Sequence, residues 1–174
     1  KRVMAVGKKA LLMHGRTHEN IQTIRPLKDG VIADFQSTEL MLREFIKMTG
    51  TKGLLFPPAL KMVICIPSGI TEVEERAVRD SAEQSGAKEV RMIHEPMAAA
   101  IGIGIDVLDA NGNMIIDIGG GTSEIAVIAL GGIVIQKSVK TAGDEFNDDI
   151  IEYMRKKHNI SISESMAEDI KINV

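Results

Sequence analysis

Three consecutive glycines, Gly119-Gly120-Gly121, stand between two apolar runs, and this limits what the chain around them can become. The runs Asn113–Ile118 and Glu124–Leu130 read as β-strands. So short an interval permits a hairpin; a parallel crossover needs about a dozen residues or more. A second glycine pair, Gly131-Gly132, joins that strand to another, Ile133–Val139, so the stretch reads as consecutive hairpins.

The preceding residues have a different rhythm. Met62–Ile66 is a continuous apolar run closed by Pro67, which predicts a strand covered on both faces. Cys65, the single cysteine, falls inside it and reads as a buried, reduced thiol. Thr71 and Glu74 have capping-box spacing, predicting a helix that runs to Ser85 and stops at Gly86. Glu89–Ile93 is a further strand, and Pro96 opens a helix through Met97–Ile101. This alternation predicts an α/β layer. Before it, Gly30–Phe35 reads as a short strand and Ser37–Thr49 as a helix stopped by Gly50, while the first thirty residues read as a minor subdomain. After the hairpins, helices are predicted from Glu145 to Lys157 and from Ser163 to Ile172.

Composition narrows the partners. A net charge of −3 gives no electrostatic footprint for nucleic acid, and one Tyr, four Phe and no Trp make poor stacking platforms. No apolar stretch approaches the roughly 20 residues that span a bilayer. The opening segment has no leader-like apolar region. A start at Lys1 without Met, and a stop just past a helical pattern, read as those of an excised piece of something longer.

Chemistry concentrates at a few positions. Successive backbone N–H groups of a glycine turn can surround phosphate oxygens without side-chain bulk. Gly119, Gly120 and Gly121 supply that turn, Thr122 adds a hydroxyl, and Asp117 is placed to hold Mg²⁺ through water. Three glycines alone fit a ligand-free hairpin equally well; the flanking acid and Thr favour a ligand. Glu95, between a strand and a helix, could orient an attacking water or merely favour the helix dipole. His94, beside it, is more ordinarily a hydrogen-bonded residue. Gly143-Asp144-Glu145 opens a helix whose free N–H groups could face phosphate or simply be capped. Glu168 and Lys171 share a helix face and could hold ribose hydroxyls or form a solvated ion pair.

These pieces together resemble the actin-like ATPase superfamily, and within it the bacterial MreB-type rod-shape proteins. The resemblance runs through Ile24–Asp34, Ile66–Glu74, Glu95–Gly102, Asp117–Glu124 and Ala142–Glu145. It implies a partial actin-like (ribonuclease H-like) α/β fold. Residues 1–112 would form most of the first domain, with a small subdomain over about 1–30, and 113–174 would begin the second. It implies ATP and Mg²⁺ as ligands, with Asp117 to Thr122 as the second phosphate loop. Glu95 and Thr122 match the positions that place the lytic water, and Glu168 and Lys171 those that approach the nucleoside. His94 stands where such proteins often have a second Glu. Leu54, Leu55 and Phe56, in the stretch 52–57, resemble an apolar loop that touches the inner membrane, although without the resemblance they would be expected to pack under a helix.

The implied partners are further copies of the chain in filaments, the membrane surface and cell-wall elongation membrane proteins, with no nucleic acid. The implied role is determination of rod shape by guiding wall synthesis, from the cytoplasmic face. Two departures matter: the first phosphate hairpin is absent, as is everything after the Glu168–Lys171 helix. Weak or absent ATP binding by this piece alone is therefore expected. A heat-shock-type chaperone ATPase is the alternative, disfavoured because Ser123-Glu124 follows Gly119-Gly120-Gly121-Thr122 where such chaperones have Phe-Asp; a sugar or acetate kinase would need an acceptor site not found in the sequence.

Overall fold

The computed structural model describes residues 2–28, 30–50 and 59–174. The chain forms two compact units, residues 1–64 with 70–93, and residues 65–69 with 94–174. Leu54, Leu55 and Phe56 lie outside the described residues.

In the first unit, the opening residues form a short helix, α1 (Lys8–Met13), and a minimal antiparallel ribbon of β1 (Leu27–Lys28) and β2 (Val31–Ile32). The strand expected over Gly30–Phe35 shrinks to β2 because Asp34 caps the next helix, α2 (Phe35–Met48): its carboxylate accepts from Ser37 N–H at 2.9 Å. Gly50, at φ 76°, follows that helix as expected. β3 (Lys61–Ile66) and β4 (Glu89–His94) pair in a two-stranded sheet, their last residues counting with the second unit. Between them α3 (Glu72–Gln84) begins in the expected capping box, with Thr71 Oγ accepting from Glu74 N–H and Glu74 accepting from Thr71 N–H at 2.9 Å. Ala82, Ala87 and Val90 form its small core, with Met62 and Ile64 packed against them.

β3 corrects one expectation. Its burial alternates along the strand, Val63 is 69% exposed, and Cys65 is exposed rather than buried. The apolar run reports residue type alone, and among the described residues only one face of β3 is covered.

The second unit has the clearer architecture. α4 (Glu95–Gly102) carries Pro96 in its first turn. β5 (Asn113–Ile118), β6 (Ser123–Ala129) and β7 (Gly132–Val139) form an antiparallel sheet in the order β5-β6-β7, the two hairpins read from the sequence. Ala100 of α4, Ile115 and Ile128 make its core, with Met97, Ile105, Val107 and Ile133 around them. On β5, Met114, Ile116 and Ile118 alternate with this buried phase and remain more than half exposed. α5 (Gly143–His158) ends on Asn159, whose left-handed φ of 54° turns the chain towards α6 (Glu164–Asn173), and α5 and α6 pack together.

Candidate nucleotide-phosphate site

The register Ile118↔Ser123 leaves Gly119 to Thr122 as the loop between β5 and β6. Gly119 N–H donates to Thr122 O at 2.9 Å and closes it. None of the three glycines has a positive φ, so the backbone conformation itself does not demand glycine. At Gly119 the reason is steric, since a Cβ would stand 3.2 Å from Thr122 O. At Gly120 a Cβ would meet only the Asp144 carboxylate, at an ordinary 3.8 Å, so protein packing does not exclude a side chain there. A bare surface is what a ligand approaching the backbone requires.

The start of α5 sets which way that surface faces. Gly143 N–H donates to Gly119 O (3.0 Å) and Asp144 N–H to Gly120 O (2.8 Å). The helix N-terminus thus braces the loop, and those two donors are spent on it. Across a trans peptide the N–H opposes the carbonyl, and the chain has no cis peptide. With the carbonyls of Gly119 and Gly120 aimed at α5, the N–H groups of Gly120 and Gly121 point away from it. Among the described residues neither donates to another protein group. Two neighbouring free N–H groups on a side-chain-free turn can donate to an oxyanion.

Carboxylates gather on the α4 side of the hairpin. Asp117 pairs in register with Glu124, on the face that carries Ile115 and Ala126. Glu124 is only 1% exposed, and its oxygens accept from Ser68 N–H (3.0 Å) and Ser138 Oγ (2.6 Å). Glu95, half-buried at the start of α4, has its pKa raised by burial, then by the negative charges of Glu124 and Asp117. The Cys65 thiol is also pushed up, by partial desolvation first and then by Glu95 and Asp117. Glu95, Asp117, Glu124 and Cys65 therefore share one electrostatic neighbourhood.

No group of three or more His, Cys, Asp or Glu among the described residues is arranged to hold a metal directly.

On the other side of the loop, Lys171 Nζ donates to Gly143 O (2.9 Å) and to Glu168 Oε2 (2.7 Å). Asn147 Nδ2 donates to the same Glu168 oxygen at 2.8 Å, and these two donors hold the Glu168 carboxylate below its usual range. The structure thus brings Gly119 to Thr122, Asp117, Glu95, Glu168 and Lys171 to one end of the β5–β6 hairpin and its flanking helices. Sequence reasoning missed Asn147 and Glu124. Glu124 did leave a signal, an acid on the inward phase of a strand mirroring Asp117 across the turn.

An α/β scaffold with a braced glycine hairpin, a carboxylate on its first strand and another at a helix start opposite has the actin-like ATPase fold, as two solved structures show. The ADP-bound MreB5 of Spiroplasma citri matches with a TM-score of 0.85 and 41% identity, over 97% of this chain and 50% of that one. The AMPPNP-bound form of MreB 5 matches with a TM-score of 0.85 and 39% identity, over the same shares. The chain belongs to the MreB/Mbl family, whose model, described as MreB/Mbl protein, matches residues 1–174. The cell shape-determining protein Mbl of Bacillus subtilis is 51% identical over 99% of this chain and 51% of its own length. The chain spans about half the length of such relatives. The chaperone reading gains no support from these matches.

Proposed function

We propose that this chain supplies the second phosphate loop and part of the nucleoside wall of an actin-like cytoskeletal ATPase that assembles into filaments and determines cell shape. The observation that carries the reading is the braced loop, whose free Gly120 and Gly121 N–H groups face away from α5. Relatives that bind ADP and AMPPNP, and a relative named as cell shape-determining, support it.

In this reading ATP is the nucleotide. The Gly120 and Gly121 N–H groups and the Thr122 hydroxyl receive phosphate oxygens. Gly119, whose N–H is spent on Thr122 O, closes the loop rather than contacting phosphate, and Asp117 would hold Mg²⁺ through water. Mg²⁺, when bound, offsets the charge on the phosphate oxygens. Glu95 and Thr122 orient the attacking water, and the raised pKa of Glu95 moves it towards the range useful for proton transfer. Glu168 and Lys171 face the nucleoside. The first domain runs to residue 112 and the second opens with β5 at Asn113, a division that differs from the compact units, which part between 93 and 94.

Filaments form by head-to-tail contact that does not close. Leu54, Leu55 and Phe56 bury apolar area in the inner face of the cytoplasmic membrane, and repetition along a filament multiplies a weak contact. There the filament guides wall-elongation proteins. No helix among the described residues is long and apolar enough to cross a membrane.

The test is sedimentation of full-length protein with and without ATP, with anionic liposomes and without. ATP-dependent pelleting alone, increased by liposomes, is expected. A soluble, peptide-stimulated ATPase would overturn the filament reading; liposome-independent pelleting would overturn only the membrane contact.

A further inference from the structure

Asn147 lies within α5, 3% exposed, where the sequence offered no reason to single it out. Its Nδ2 donates to Glu168 Oε2, but its Oδ1 is buried with no hydrogen-bond partner among the described residues. An unpaired buried carbonyl is costly. Turning the amide over would not relieve it, because Oδ1 would then face a carboxylate whose pKa is held low. An apolar side chain would leave neither an orphan acceptor nor a donor there. An amide here is therefore useful only for what its donor does to Glu168.

What it does is geometric. Glu168 Oε2 receives both Asn147 Nδ2 and Lys171 Nζ, while Oε1 takes no hydrogen bond among the described residues. The side chain is 45% exposed, so one oxygen is anchored and the other is open. Lys171 carries the same linkage to Gly143 O, and Gly143 N–H carries it to Gly119 O in the loop. A hydrogen-bonded chain thus runs from Asn147 through Glu168, Lys171 and Gly143 to the phosphate loop.

We propose that Asn147 is a positioning residue that fixes Glu168 Oε2 so that Oε1 accepts from a ribose hydroxyl, joining recognition of the sugar to the placement of the phosphate loop. The inference rests on Glu168 facing the nucleoside. A fixed carboxylate distinguishes ribose from deoxyribose better than a swinging one, because a site built to bond a hydroxyl penalises its absence.

The experiment is calorimetric titration of full-length protein with ATP and with 2′-deoxy-ATP, for Asn147→Leu, Glu168→Gln and the double variant. Asn147→Leu and Glu168→Gln should each weaken ATP binding roughly tenfold, about the loss of one charge-assisted hydrogen bond. Each should also bring the ATP to 2′-deoxy-ATP affinity ratio towards one, and the double variant should bind no more weakly than Glu168→Gln. If Asn147→Leu fails to fold, Asn147→Asp, nearly isosteric and repelled by Glu168, should collapse the same ratio. An unchanged ratio in the Asn147 variants while Glu168→Gln collapses it overturns the positioning role alone, as does full additivity. An unchanged ratio in Glu168→Gln overturns both this inference and the nucleoside reading beneath it.

Discussion

Gly143→Ala is the sharpest test of the brace between α5 and the glycine loop. The added Cβ would stand 3.1 Å from Gly119 O, 3.2 Å from Lys171 Nζ and 3.6 Å from Gly120 Cα. The lysine end can swing away, but the carbonyl and the Cα are backbone and can give only if the loop moves off the helix. That movement lengthens the Gly143 and Asp144 N–H bonds to the loop, each worth about 0.5–1.5 kcal/mol. Alanine returns up to about 1 kcal/mol of helix propensity, and residual crowding adds a cost of the kind that runs to about 1–3 kcal/mol in packed sites. The net is roughly 1–3 kcal/mol against the closed loop. In the 174-residue chain, residue-resolved hydrogen exchange should show the amides of Gly143 and Asp144 exchanging about ten- to a hundredfold faster. The amides of α3 should not change. Unchanged protection at both positions, with equal or higher thermal stability, would refute the reasoning, because alanine would then have been accepted without disturbing the loop.

The acidic cluster predicts a titration. Glu95 should titrate above the ordinary Glu range, and Glu124→Gln should bring it down by removing one negative neighbour, as read by carboxyl NMR. Since the folded pKa is the higher one, more protons are bound in the folded state between the two values, so this group's contribution to stability falls as pH rises through that window. An unmoved Glu95 titration would separate Glu124 from the site. In full-length protein Glu95→Ala should still form filaments with ATP but release phosphate at least tenfold more slowly; unchanged release removes Glu95 from water placement. In the first unit, Thr71→Ala should cost about 1 kcal/mol through loss of the capping box, measured by chemical denaturation, whereas an alteration within error would make the cap incidental.

Local features were legible in the sequence because their causes are local. Thr71 and Glu74 sit three residues apart and cap α3 as their spacing says. The β5–β6 hairpin follows from two apolar runs too close together for any other connection. What escaped depends on residues distant in sequence. The apolar run at β3 says nothing about whether a neighbour covers both its faces, and so Val63 and Cys65 were misplaced. Free donors at the start of α5 were legible; their use by carbonyls more than twenty residues away was not. Asp117, Glu95 and the loop could be nominated from residue type and context, and the actin-like resemblance gathered them into one site. Glu124 and Asn147 needed coordinates, since only there is it evident that one is a buried carboxylate and the other a buried amide with an unpaired oxygen.

The bonds between the loop and α5 have a mechanical consequence. α5 is 16 residues long, a rod of about 24 Å, and its first two N–H groups are pinned to the glycine turn. A displacement of the turn is therefore a displacement of the rod's end. A tilt of roughly 5° about that pinned end moves the far terminus by about 2 Å, a sideways stroke comparable to the rise of a helical residue. The pivot of such a tilt is the pair of Gly143 and Asp144 N–H bonds, on the face of the turn opposite the free Gly120 and Gly121 N–H groups, and the end that would travel is at Asn159.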